Sequence, residues 1–300
     1  MGRRLDTVLK QIYTLPTLPV VLTTVLELIR NPKTSAADIG RVISKDQILT
    51  ARLLKLVNSA FYGFPRRIST VSHAITVIGF DALTNLILAT SVLDIFPKEN
   101  QEGGFDYEGF WEHSIGTAAG AKVIAGFISY NAKEELFVAG LLHDIGKIVE
   151  AQFMQKEFLK VREEIHNNAG LMVNEEAKIL GYTHARIGGE LIDKWGLPAS
   201  LVEPVALHHE PQLAREFPRQ TAAVHLADIL CRAKDIGYGG DNKIPPLNPV
   251  AWESLGLRIS DIEPIMERME TEFEATISAL YPSSTSERGT PPGEQKWRER

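Results

Sequence analysis

The 300-residue chain predicts an all-α fold, on two observations. Apolar residues recur at helical spacing through most of its length, and no segment alternates apolar with polar residues as a half-buried strand does. The breaks between apolar runs fall on proline, glycine and small polar residues, which start and stop helices.

The elements follow in order. Leu15-Pro16-Thr17-Leu18-Pro19 is a stiff lead-in, and Pro19 suits a first helical turn, where its missing N–H costs nothing. Residues 20–30 form the first expected helix, broken by Asn31-Pro32. Ser35 caps a helix over 36–44, with Asp38 at its third position. Ile48, Leu49, Leu53, Leu56 and Val57 stripe the next, over 47–58. Phe61-Tyr62-Gly63-Phe64-Pro65 is an aromatic loop, read as anchored on the core ahead of an exposed docking patch. Helices over 70–78 and 82–96 follow, separated by Gly79, with Asp81 opening the second. The polar stretch PKENQEGGFDY at 97–107 places a linker at 97–109. It divides an N-terminal helical subdomain, 10–96, from a second one, 110–281. There helices are expected at 110–130, 134–145, 155–168, 172–180, 184–195, 199–209 and 219–234. Small residues from Gly116 to Gly126 let the first of these pack closely on the next. Residues 236–250 read as a loop, 261–281 as a closing helix, and 282–300 as a disordered tail.

Composition narrows the function classes. A formal net charge of −6 gives no general case for nucleic-acid binding. One cysteine, Cys231, excludes an internal disulfide and a multi-cysteine zinc site, and fits a reducing cytoplasm. The first residues lack the apolar run of a signal peptide, and about 18 consecutive apolar residues occur nowhere, so neither secretion nor a membrane span is expected.

The chemistry concentrates in the stretch LFVAGLLHDIGK, 136–147. Leu136, Ala139, Leu142 and His143 share a helical face, and His143 and Asp144 follow at its end. An imidazole and a carboxylate in succession offer N and O donors to one divalent cation, or let the carboxylate bridge two. The bland alternative is a buried histidine hydrogen-bonded to an aspartate. Gly146 suits a turn out of the helix. Lys147 is a point charge for a phosphate, or else a solvated helix end. His113, His184, His208, His209 and Asp228 lie on or beside other expected helices, with His225 one turn before Asp228. Imidazole and carboxylate without thiolate suit Fe, Mn, Zn, Ni or Co. Consecutive helical residues diverge by about 100°, which leaves one of His208 and His209 a candidate for a supporting position. His225 reads as a supporting residue, His166 as solvated, His73 as packed locally and Cys231 as an inert buried thiol. Arg186 and Arg232 are weaker candidates for phosphate contact.

The order H…HD…H…HH…D resembles the HD phosphohydrolase superfamily in its helical two-metal branch. LPTLPVV, DIGRVISKDQILTARLLKLVNSAFYG and ISTVSHAITVIGFDALTNLILA resemble, more specifically, the HDOD domain, a bacterial HD-related signalling output module. The resemblance covers about residues 10–235. It implies an HD-like helical bundle preceded by an N-terminal helical subdomain. It implies one metal on His113, His143, Asp144 and Asp228, and a second on His184, His208 and His209 with Asp144 bridging. Fe or Mn leads among the metals. Asp144 and Lys147 would carry the chemistry of a phosphoester. Two departures stand out. HHEPQLAREFP replaces the DGxGYP continuation of cyclic-dinucleotide phosphodiesterases, and Gly109 stands where a third-metal glutamate would. The resemblance therefore implies a cytoplasmic signalling module that binds a phosphorylated small molecule or nucleotide and acts on a protein partner. The alternatives are an active metal-dependent phosphohydrolase and a metal-free interaction domain.

Overall fold

The computed structural model describes residues 17–29, 31, 33–59, 62–96 and 105–280. Phe61, most of the expected linker and the whole expected tail lie outside them. Among the described residues all regular structure is helical, and no helix is long and apolar enough to cross a membrane.

The N-terminal helices are α1 (Val20–Ile29), α2 (Ala36–Ile43), α3 (Gln47–Val57), α4 (Val71–Ile78) and α5 (Phe80–Ile95). Local chemistry sets their ends. Ser35 and Asp38 form a reciprocal capping box on α2, and the Asp46 side chain accepts from Leu49 N at 2.9 Å to cap α3. Thr70 caps α4, its side chain accepting from His73 N at 3.2 Å. Gly79, at φ +86°, turns the chain directly into α5, which begins at Phe80. Asn58 fixes the aromatic loop from below. Its amide donates to the Leu54 and Ile68 carbonyls and its Oδ1 accepts from Ile68 N, all at 2.7–2.8 Å. Tyr62 stacks on Phe64 and packs on the core, and its hydroxyl donates to Glu134. The described part of this loop is thus anchored, as expected.

The remainder is organised around α6 (Tyr107–Phe127), capped by Asp106 and buried from Gly109 to Ala125 save Glu112. It starts three residues before the expected position 110. Against it pack α7 (Lys133–Leu142), α13 (Pro218–Ala233) and α15 (Ile262–Leu280). Between α7 and α13 the chain forms α8 (Ile145–Phe153), α9 (Gln155–Asn168), α10 (Met172–Ile179), α11 (His184–Lys194) and α12 (Ala199–Leu207). A short α14 (Pro249–Leu255) follows α13. Helix α11 packs on α8 and α12, and α5 packs on α7, so one hydrophobic core runs through both regions.

Two expectations fail here. Gly146 does not turn the chain out of a helix. It lies in the first turn of α8, where the His184 carbonyl of α11 occupies the space a Cβ would need. Glycine is required by close approach, not by a turn. His73 is exposed rather than packed.

Candidate metal centre

The break between α7 and α8 positions the pair that matters most. Helix α7 ends at Leu142, His143 continues in helical conformation, and Asp144 sits at φ −101°, ψ 7° before α8 begins. This corner directs both side chains inward. His113 comes from the middle of α6, His184 from the first residue of α11, His208 and His209 from the end of α12, and Asp228 from α13. The structure thus brings together all seven residues singled out in the sequence. Helix α12 ends at Leu207, so the helical divergence expected of His208 and His209 does not separate them, and their rings lie 4.1 Å apart.

Two groups of donors share Asp144. His113 Nε2 and His143 Nε2 lie 3.5 and 3.3 Å from Asp144 Oδ2, and 3.1 and 3.9 Å from Asp228 Oδ1. His184 Nε2 and His208 Nε2 lie 3.0 and 3.7 Å from Asp144 Oδ1. His209 Nε2 completes this second group, 3.1 Å from His184 Nε2. The two carboxylate oxygens of Asp144 therefore face different donor sets. Apart from the half-buried His209, every one of these side chains is buried.

The surrounding atoms leave three of the inward ring nitrogens bare. His143 Nδ1 lies 2.6 Å from the Gly140 carbonyl and His208 Nδ1 2.8 Å from that of Val205. A carbonyl only accepts, so Nδ1 carries the hydrogen and Nε2 presents a lone pair inward. The Nε2 atoms of His113, His143 and His208 and the Oδ1 of Asp144 have no hydrogen-bond partner. Each such buried orphan costs about 1–3 kcal/mol. The inward lone pairs of His143 and His208 beside the bare Asp144 Oδ1 fit a cation, and the N and O donors fit a divalent transition metal.

Electrostatics agree. Burial holds His113 and His209 below the usual histidine range and brings His208 down to about 4, so these rings are neutral and able to ligate. Burial opposes the ionisation of both aspartates. Cationic Lys147 nevertheless helps to hold Asp144 well below the usual carboxylate range, and Arg232 does the same for Asp228. His184 departs from the pattern: burial lowers it, but the adjacent Glu176 carboxylate leaves it raised overall.

Glu176 is a site residue that sequence reasoning missed. Its carboxylate accepts from His184 Nδ1 at 2.7 Å and from His184 N at 2.9 Å, fixing the ring that faces Asp144. Nothing in the local spacing links the two, because the turn after α10 separates them. His225 does stand in support. Its Nδ1 donates to the His208 carbonyl and its Nε2 accepts from Asn248 N. Lys147 is no solvated helix end: it is buried, and donates to Asp144 Oδ2 at 2.5 Å. Arg232 donates to Asp228 Oδ1 at 2.9 Å, while Arg186 is exposed. Cys231 is buried, and burial raises its thiol far above its ordinary range, which keeps it protonated.

Known proteins share this arrangement of helices. An HDOD domain protein of unknown function from Geobacter sulfurreducens superposes with a TM-score of 0.73 at 24% identity, covering 92% of this chain and 98% of its own. A candidate phosphohydrolase from Shewanella amazonensis SB2B gives 0.70 at 23% identity, covering 91% and 97%. At such identities the likeness carries the fold. An uncharacterized protein of Treponema pallidum (strain Nichols) is 27% identical over 224 residues, 74% of this chain. The chain spans only 43% of the length of that relative. The sequence pattern of the HDOD domain matches residues 15–211, which include His113 to His209 and stop short of Asp228. With two thirds of its length matched and the fold shared, the chain belongs to the HDOD domain family.

Proposed function

We propose that the chain is a cytoplasmic signalling output module whose paired metal centre binds a phosphorylated small molecule or nucleotide. One observation carries the reading: the two oxygens of Asp144 face two separate sets of imidazoles inside the core, among which the Nε2 atoms of His113, His143 and His208 have no hydrogen-bond partner. His113, His143, Asp144 and Asp228 would hold one ion, and His184, His208 and His209 the other, with Asp144 between them. Fe or Mn suits this set best. When bound, such a pair of cations grips phosphate oxygens and lowers the pKa of water. The chain's own part is positional. Glu176, Gly140 and Val205 fix the ring tautomers. Lys147 and Arg232 neutralise the two aspartates and supply cationic N–H donors to an incoming phosphoryl group. The N-terminal helical subdomain, packed on α7 through α5, would pass the state of the centre to a protein partner.

The full donor set favours a second reading, a working phosphohydrolase. Turnover separates the two. The metal-loaded chain is incubated with bis(p-nitrophenyl) phosphate and a panel of nucleotides, beside an Asp144→Ala control of verified fold. The signalling reading expects saturable nucleotide binding that needs Asp144 and no product above the control. Multiple turnovers, abolished by Asp144→Ala, would replace it with the enzyme.

A further inference from the structure

The loop after α13 lies across the candidate centre. The Gly239 carbonyl accepts from Lys147 Nζ at 2.7 Å and from Arg232 Nη2 at 3.0 Å. These are the two cations paired with Asp144 and Asp228. A neutral carbonyl thus sits where two cationic donors converge beside the centre, the position of a phosphoryl oxygen in the reading above. Other bonds hold the loop as well: Ile236 N donates to the Cys231 carbonyl and Arg232 Nη1 to the Lys243 carbonyl, each at 3.2 Å. Tyr238 N donates to the Gly109 carbonyl at 2.7 Å, and Asp241 accepts from Arg232 and from Met172 N. Gly237, at φ +65°, lies so close to the α6 backbone at Gly109 and His113 that no side chain fits.

On the outer side of this loop is a cavity of about 300 Å³. Arg162, His166, Tyr238, Gly240, Lys243 and Asp241, whose carboxylate is paired with Arg232, contribute to its wall, and Arg162, His166 and Lys243 are exposed. Gly240 is the partition: a Cβ there would stand 3.8 Å from the Lys147 Nζ on the inner side. The cavity is of a size for a small organic body, and its lining offers cations for further negative charge.

We propose that residues 236–243 form a strap that a phosphate ester displaces: its phosphoryl oxygen replaces the Gly239 carbonyl on Lys147 and Arg232, while its body occupies the cavity beside Arg162 and Lys243. This rests on the phosphoryl reading of the centre, and adds the ligand's binding surface and the segment that must move. Nothing covalent is required, only an exchange of one acceptor for a more strongly charged one.

The test follows backbone amide exchange across 236–243, above all at Tyr238, in the full chain loaded with Mn²⁺. The probes are inorganic phosphate and adenosine 5′-monophosphate, and metal per chain is measured on the same samples. Both probes are expected to speed exchange about tenfold or more, because they free the strap from two charged donors. In the Arg162→Ala, Lys243→Ala double variant, whose changes are on exposed side chains, the monophosphate should need about tenfold higher concentration and inorganic phosphate the same as before. Unchanged exchange with both probes in metal-bearing protein overturns the strap and leaves the metal reading standing. A wild-type response of the double variant to the monophosphate overturns the cavity assignment. Absence of metal removes the metal reading instead. The same probes on the metal-free chain then decide the strap, with unchanged exchange again counting against it.

Discussion

The described residues within 17–96 and those of 105–280 are both helical and share one core, yet they bury different things. Among the described residues of the first region the buried polar side chains are Thr90 and Ser91. Thr90 is satisfied within its own helix by the Leu86 and Ile87 carbonyls. The second region buries His113, His143, Asp144, Lys147, His184, His208 and Asp228, and several of their atoms stay unpartnered. The first region is explained by apolar burial and helix capping. The second is not, since folding alone gains nothing from acceptors aimed at one another. Its core is organised for something that binds there.

The largest expected effect follows from Asp144, which both donor sets face. Asp144→Ala leaves Lys147 a buried charge without its carboxylate, and should cost about 3–5 kcal/mol in urea unfolding and abolish metal uptake. A near-wild-type midpoint would erase the distinction between the regions. Leu53→Ala probes the other side. Leu53 is fully buried in α3, and its truncation should cost about 3 kcal/mol while metal per folded chain stays unchanged. A fall in metal content would show that the regions are coupled more tightly than the contrast implies.

Chelating the metal should cost about 2.7 kcal/mol relative to protein held at a hundredfold excess over Kd, lowering Tm by several degrees in calorimetry. The loss should appear in hydrogen exchange of α6, α7, α11 and α12 before that of α1 to α4. Glu176→Gln weakens the support of His184 without emptying its place, and metal affinity should fall about tenfold in competition titrations. The smallest effect belongs to the α2 cap. Ser35 holds Asp38 below its ordinary value of 3.8. Its stabilisation is therefore complete above that value and lost as pH falls through the lowered one. Exchange at the Asp38 amide should rise only there, with the metal centre unaffected by an Asp38→Asn change at neutral pH.

What the sequence made legible follows the same division. The N-terminal helices are marked by local chemistry, such as Ser35 with Asp38 three residues on, and Gly79 between α4 and α5. The ligand candidates were legible as residue types, because imidazoles inside apolar helices are rare on a solvated face. Helix α8 was not. Ile145 to Glu150 are all buried, so no polar face alternates with an apolar one, and Lys147 and Glu150 disguise the interior as surface. Burial and the neighbouring Glu176 hold the Glu150 carboxyl well above its usual range, an environment only the fold creates. Short α14 was not foreseen: only Pro249 and Val250 fall in the expected loop, 251–260 had no expected element, and about two turns are too few to show a period. Glu176 and the Gly239 carbonyl escaped for a related reason. One meets His184 across a turn, and the other acts through its backbone, which has no signature in the side-chain pattern.

The central claim is that this core is built to hold metal, and elemental analysis of protein purified without chelator and under exclusion of oxygen tests it most directly. The account predicts about two equivalents of Fe or Mn per chain, falling to about one in His184→Ala. Protein that carries no metal and takes up none on titration with Fe²⁺, Mn²⁺ or Zn²⁺ would contradict it, and the facing imidazoles would then be core residues without a cation.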